Sequence, residues 1–290
     1  MLDTLSAASS PEPMNALAMA SDAAPPRLQR ARGEGRIAVR AGDGRTRLDR
    51  LFQDDCGKIR LPRGADSKAL EAVLINTSGG LTGGDRLAWR AEAGPGAALT
   101  LTTQACERVY RASSGVADVR VQLAAQAGAE LRWLPQETIL FDGGALERSL
   151  DVDLAEDARF LAVEAVLLGR QAMGESVRRG TLRDRWRIRR GSRLVFADDL
   201  RLSGAVPELI ARGPALAGAV AFASILYVAE DAEAALPRVR AALGSAGGAS
   251  AFEGKLFARV VAASGLELRR ALIPALEAVS GGPLPRLWRS

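Results

Sequence analysis

The residues most able to do chemistry sit in four polar segments. The first is Asn76-Thr77-Ser78-Gly79-Gly80-Leu81-Thr82-Gly83-Gly84-Asp85-Arg86-Leu87, with four glycines in six positions and a carboxylate directly after them. Paired glycines stand where the backbone needs positive φ or where something must approach it closely. Two readings stay open: a tight turn with a surface Asp85, or a backbone cradle that sets Asp85 at a binding surface. The second segment, Thr102-Thr103-Gln104-Ala105-Cys106-Glu107-Arg108-Val109-Tyr110-Arg111, packs polar groups at the end of an apolar strand. It reads as a strand edge with locally satisfied Thr and Gln side chains, or as a surface ion pair of Glu107 with Arg108 and Arg111. Cys106 reads as a small hydrophobe rather than a ligand.

The third segment, Trp133 to Gly143, places Glu137 and Asp142 among large apolar residues. A carboxylate so placed must be paired, protonated or beside a wet cavity. Five residues apart on a regular strand, the two point to opposite faces. Paired-carboxylate hydrolysis therefore needs a turn or bulge between them. The fourth, Leu168-Gly169-Arg170-Gln171-Ala172-Met173-Gly174-Glu175, ends an apolar strand in a Gly-bounded turn with another acid. No helix pattern follows, so it is no dinucleotide fingerprint.

Composition narrows the chemistry. The 290 residues contain no histidine and only two cysteines, Cys56 and Cys106. That removes His-dependent nucleophile triads, HExxH zinc sites and Cys-rich zinc sites. Any metal meets mainly oxygen donors, which hold late transition metals weakly. The net charge of +5 and pI near 9.8 come almost wholly from arginine. The stretch 178–193 holds eight arginines against one acid, Asp184, so the rest of the chain is close to neutral. A nucleic-acid stripe on that strand is one reading, and a solvated edge or one facing an acidic partner is the stronger one. No apolar run approaches the ~20 residues a membrane helix needs.

These segments must be positioned by strands. Residues 1–26 are Ala, Ser, Pro and Met with little periodicity, and are expected to be disordered. They show no secretory signal, which favours a cytoplasmic protein, and Met14 is an alternative start. From 27 to about 215 the pattern alternates with period two, as in Val119 to Leu123 and Leu150 to Leu154. Short turn-like links with no helix between them suggest stacked antiparallel sheets. A recurring Gly-Ala step before a strand, at Gly96-Ala97, Gly128-Ala129 and loosely Asp157-Ala158, hints at repeated layers. From 216 to 290 the order becomes strand, helix, strand, helix. The helices run from Asp231 to about Leu243 and from Leu266 to Val279, with a Gly/Ser link from Gly244 to Ser250.

Taken together, NTSGGLTGGDRL, LTTQACERVYR, LPQETILFDGG, LGRQAMGE and the closing PRLWRS stand in the order and spacing of the urease accessory protein UreD family, also called UreH. The chain resembles that family from about residue 27 to its C-terminus. It departs from the expected pattern at Asn76-Thr77-Ser78, where many relatives carry Pro-Pro or His-Pro, and at Arg108, where many carry Lys. The resemblance implies a mainly β fold of stacked, helix-like sheets with two C-terminal α-helices. It implies a non-enzymatic scaffold that binds urease apoprotein and recruits UreF and UreG for nickel insertion. It implies an internal polar passage with Ni2+ in transit and no tightly bound cofactor or metal. Carried over residue by residue, Asp85, Glu137, Asp142 and Glu175 would line the passage. Thr103, Gln104, Arg108 and Tyr110 would shape its wall or a partner surface. The readings set against it are a carboxylate-based hydrolase and a basic RNA-binding β-module.

Overall fold

The computed structural model describes residues 29–62, 68–170, 174–213, 216–280 and 283–289. The expectation of disorder over 1–26 lies outside the described residues. The chain opens with the hairpin β1 (Arg32–Gly42) and β2 (Arg45–Asp55), followed by β3 (Gly57–Arg60) and β4 (Leu70–Asn76). Three coils then repeat one plan. In the first, β5 (Arg86–Ala93) turns into β6 (Ala98–Thr103) and the short β7 (Glu107–Val109). In the second, β8 (Ala117–Ala125) turns into β9 (Glu130–Leu134) and β10 (Thr138–Leu140). In the third, β11 (Ala145–Leu154) turns into β12 (Arg159–Leu168). The long hairpin of β13 (Arg179–Arg190) and β14 (Arg193–Ala205) leads to α1 (Val206–Ile210). The chain closes with β15 (Ala221–Val228), α2 (Ala232–Leu243), β16 (Gly247–Phe252), β17 (Lys255–Ala262) and α3 (Gly265–Ser280).

Each coil crosses between two facing sheets. Among the described residues one sheet runs β14-β13-β11-β8-β5-β1-β2 and the other β16-β17-β15-β12-β9-β6-β4-β3. The middle of each sheet is parallel: β5, β8, β11 and β13 in the first, β4, β6, β9 and β12 in the second. This corrects the expectation of antiparallel sheets. A link of four or so residues normally makes a hairpin, but here it carries the chain to the opposite sheet, so successive coils return in the same direction. Antiparallel pairs remain at the flanks, as in β1 with β2 and β12 with β15.

The Gly-Ala steps are the corners of these coils and stack on one another. Glu130 N donates to Ala97 O and Arg159 N to Ala129 O, both at 2.9 Å. Gly128 N donates to the Asp157 carboxylate at 2.9 Å. Ala97 and Ala129 are buried under the next corner, and Ala158, in the last corner, is buried with the Arg190 guanidinium donating to its carbonyl at 3.1 Å. A larger side chain at this column has no room.

Two cores result. Between the sheets lie Trp89, Leu99, Leu123, Leu131, Leu150, Phe160 and Trp186. Outside the second sheet, α2 and α3 cover Leu161, Val163, Ile225, Tyr227 and Leu256 with Val239, Leu268, Leu272 and Leu276. β12 and β15 are apolar on both faces because each serves a core on either side. Pro237 and Pro274 are both tolerated inside their helices. The Gly/Ser link expected from 244 to 250 is in fact a 3-10 turn and the edge strand β16, paired to β17. Small residues hid that strand, which has little side-chain pattern of its own.

Candidate functional site

The polar segments form the other edge of the coils, where the chain returns to the first sheet. Residues about thirty apart in sequence become neighbouring layers. Leu81 N donates to Arg108 O at 2.7 Å, and Tyr110 N donates back to Leu81 O at 2.8 Å. β7 pairs in parallel with β10, and β10 with β12. Ala112 N donates to Gly143 O at 2.9 Å, Gly143 N to Arg179 O at 2.7 Å and Gly169 N to Leu140 O at 2.8 Å. Irregular backbone is stable here because each arc satisfies the next one's peptide groups.

The glycines of the first arc answer both needs read from the sequence. Gly80 has φ 145°, and a Cβ there would lie 2.4 Å from the Tyr110 ring and 2.8 Å from Arg108 O. At Gly83 a Cβ would meet Ser114 O at 2.2 Å. Asp85 is only 4 % exposed, so it is not a surface residue. Its carboxylate accepts Ala31 N at 2.8 Å and Thr82 N at 2.7 Å. It therefore closes its own turn and ties β1 to it.

In the second arc, the Thr103 hydroxyl accepts Gln136 N at 2.8 Å and donates to Ala105 O at 3.0 Å. Gln104 and Arg108 are exposed. The Tyr110 hydroxyl donates to Gly79 O at 3.3 Å, and its ring meets Phe141 edge-on at 5.0 Å. Gln104, Cys106, Glu107 and Arg108 line a cleft of about 200 Å³ together with Asn76 and Gly80. Glu107 is half-buried, and the Asn76 amide donates to both its oxygens at 3.2 and 3.3 Å. It is not the surface ion pair that the sequence allowed. Burial pushes its carboxyl up to about 7 against the pull of Asn76. A carboxyl raised on folding stabilises the fold below its unfolded value of about 4.5, and that contribution fades as pH rises through about 7. Thermal melts from pH 4.5 to 7.5 are expected to show wild type losing stability relative to Glu107→Gln. The comparison isolates Glu107 because every other titrating group is common to both proteins.

Glu137 is fully buried against α3. Arg269 donates to it at 2.6 and 2.9 Å and also contacts Gln136. Burial raises the Glu137 carboxyl, but the hydrogen bonds and charge of Arg269 outweigh it and hold it below the usual range. The Cys106 thiol donates to Glu137 at 3.5 Å and is itself pushed up to about 11 by burial and that carboxylate. Arg269 lies over the Trp288 ring at 5.7 Å, and Trp288 Nε1 donates to Leu134 O at 2.9 Å. The closing PRLWRS motif thus braces the LPQE motif.

Asp142 and Glu175 share a cluster. Asp142 accepts Arg178 N at 2.8 Å, Arg179 N at 3.0 Å and the Arg111 guanidinium at 2.9 Å. Those backbone donors hold its carboxyl below the usual range. Glu175 takes the Arg170 guanidinium at 2.7 Å and the Asp142 N–H, which lower it likewise. Arg170 stacks over Phe141 at 4.5 Å. Gln171, Ala172 and Met173 of this motif lie outside the described residues. Glu137 and Asp142 are not brought together as a carboxylate pair; each has its own set of donors. Asp85 likewise stands apart from the Asp142–Glu175 cluster in its hydrogen bonds. Among the described residues no three Asp, Glu, Cys or His side chains converge to hold a metal ion.

Sequence reasoning missed a charged cluster between the sheets. Arg148, Glu164 and Asp184 are all buried. Arg148 reaches Glu164 at 2.6 Å and Asp184 at 2.7 Å, and donates to the Thr138 hydroxyl at 3.0 Å. Trp133 Nε1 donates to Glu164 at 2.8 Å and Trp186 Nε1 to Asp184 at 3.1 Å. Burial raises the Glu164 carboxyl despite Arg148. The signal was present: Arg148 and Asp184 fall on the inward phase of alternating strands, at Leu146-x-Arg148-x-Leu150 and Leu182-x-Asp184-x-Trp186. Three of the outward arginines of β13 meet acids on neighbouring strands. Arg183 pairs with Asp199 at 3.1 Å, and Arg185 and Arg189 approach Asp151 at 3.9 and 4.0 Å. Arg187 donates instead to Trp186 O at 2.7 Å and Asp198 O at 3.1 Å, so neighbouring acids match the basic stretch only in part.

Comparison with known proteins adds the following. A family model described as UreD urease accessory protein matches residues 31–289. The chain is 56% identical over 265 residues to the urease accessory protein UreD of Agrobacterium fabrum, covering 91% of this chain and 93% of that one. It is 54% identical over 272 residues to that of Rhizobium leguminosarum bv. viciae, covering 93% and 99%. With that of a Chelativorans species it shares 55% over 271 residues, covering 92% and 97%.

Proposed function

Since the chain belongs to the UreD urease accessory protein family, with a role in urease maturation, we propose that it is a non-enzymatic scaffold of that process. It docks on the urease apoprotein, recruits UreF and UreG, and lets Ni2+ pass as cargo along its carboxylate-bearing arcs. The cytoplasm is its site of action. No described helix is long and apolar enough to cross a membrane.

The observation that carries this reading is the way the acids are held. Glu137, Asp142 and Glu175 each face an arginine. An arginine beside a carboxylate competes with any arriving cation. Oxygen donors without imidazole bind Ni2+ weakly at each step, and weak successive sites favour passage over storage. Asp85 sets the shape of the arc from within, while Thr103, Gln104, Arg108 and Tyr110 form its wall and rim.

Co-expression with a urease operon lacking its own copy of this protein tests the reading. Urease activity and nickel per urease are expected to depend on the chain. Glu137→Ala, Asp142→Ala and Glu175→Ala are expected to lower nickel content several-fold while UreF and UreG still co-purify. Normal nickel loading with all three variants would count against passage at these positions. Normal loading without the chain would remove the scaffold role itself.

A further inference from the structure

The sandwich is open at the end where β14 faces β15 and β17. Among the described residues β14 is the last strand of its sheet, so no further coil closes the space between the sheets there. Near the start of β14 the two sheets do meet. Arg259 pairs with Asp198 at 2.7 Å, and the Phe196 and Phe257 rings lie 5.0 Å apart. Further along β14 they part, and a cleft of about 440 Å³ opens. Its apolar walls include Leu200 and Leu202 of β14, Leu209 of α1, Phe222 of β15 and Val261 of β17. Leu202 and Phe222 are buried, so the cleft reaches the core between the sheets. A packed core holds few voids larger than a water molecule. Small-molecule pockets, by contrast, run from about 300 to 1,000 Å³ and are mostly apolar with a few placed polar groups.

The charged groups of this cleft are all of one sign. Arg201, Arg212 and Arg259 line it, and among the described residues no carboxylate does. Two of the three are committed: Arg201 to Asp199 and Arg259 to Asp198, each at 2.7 Å. Arg212, just past α1, is exposed and has no ion pair or side-chain hydrogen bond among the described residues. We infer that the cleft binds an amphiphilic monocarboxylate of the medium-chain fatty-acid class, its tail between the sheets and its head on Arg212. A guanidinium takes a carboxylate through two parallel N–H···O bonds. The uncommitted cation at the mouth of an apolar slot selects that head over a neutral or cationic one. The walls select a hydrocarbon tail, each buried methylene adding about fourfold in affinity. Sheets packed face to face stand about 10 Å apart and a helix with its side chains is about 10–12 Å across, so the slot admits a chain and not a helix.

Isothermal titration of the purified full chain with decanoate, below its micellar concentration, tests this. Decanoate is expected to bind, and octanoate to bind about tenfold more weakly. Decanol and decyltrimethylammonium, which carry the tail without the anion, are expected to fall about tenfold or more below decanoate. Arg212→Glu is expected to weaken decanoate binding to a similar extent with the melting temperature of the free chain unchanged, because Arg212 is exposed and unpaired. Leu209→Trp, which fills the slot from α1, is expected to abolish binding in a chain with the wild-type circular-dichroism spectrum. Should that variant fail to fold, Arg212→Glu and the uncharged ligand still decide. The inference is overturned if decanoate does not bind, if decanol binds as well as decanoate, or if the folded Arg212→Glu or Leu209→Trp protein binds decanoate like wild type.

Discussion

Arg148→Ala is expected to destabilise the fold by about 3–5 kcal/mol, measured as a shift of the urea midpoint at unchanged slope. The reason is the company Arg148 keeps. It is the cation between Glu164 and Asp184, and all three lie between the sheets. Its removal strands two buried carboxylates, which is the costly way to break such a cluster. The loss should also depend on pH. Burial already raises the Glu164 carboxyl, and without Arg148 it rises further. A carboxyl raised on folding gives its stability at low pH and loses it as pH climbs through the folded value. The penalty of Arg148→Ala is therefore expected to be smaller near pH 5 than near pH 8. Glu164→Gln, which keeps an acceptor for Trp133 Nε1, should be far milder than Glu164→Leu. Equal penalties at both pH values would mean that the carboxylates find another way to shed their charge.

Asp85→Ala is expected to cost about 2–5 kcal/mol, because it leaves the Ala31 and Thr82 N–H groups without their acceptor. Asp142→Ala also deletes an acceptor of two backbone N–H groups. Its site is wetter, so solvent replaces the carboxylate and the loss should be nearer 1 kcal/mol. The contrast separates two roles. If Asp85→Ala lowers urease activation, the deficit should track thermal stability and recover at lower expression temperature. On the proposed passage, a deficit at Asp142→Ala should persist at any temperature, since the arc stays folded and only the proposed cargo contact is gone. Melting temperature and nickel content measured on the same preparations decide it. An Asp85→Ala protein as stable as wild type but poor in nickel loading would move Asp85 from the frame to the proposed path.

Both predictions rest on residues that differed in how far the sequence revealed them. Asp85 stood out beside its glycines, but its burial did not, because a carboxylate after a Gly turn looks the same whether it faces water or two peptide N–H groups. Glu137 stood out as an acid among apolar residues. Its partner Arg269 lies more than 130 positions away on α3, and nothing local in either segment names the other. Glu164 and Arg148 passed unnoticed because attention to polar segments overlooked single charges inside apolar strands.

The sequence by itself determined the class of fold, through period-two alternation and turn-forming links, and the location of both C-terminal helices. It also determined the available chemistry, since a chain with no histidine and only two cysteines has no His-dependent triad or Cys-rich zinc site and meets any metal mainly with oxygen donors. Its motif order placed it with its family. The tertiary structure alone decided the direction of the strands, because a short link reads the same whether it folds back or crosses to the other sheet. It alone decided that Asp142 and Glu175 meet while Asp85 and Glu137 each keep their own donors. Those contacts join layers of the coil, and the pairing of layers is set by backbone hydrogen bonds that no side-chain pattern records.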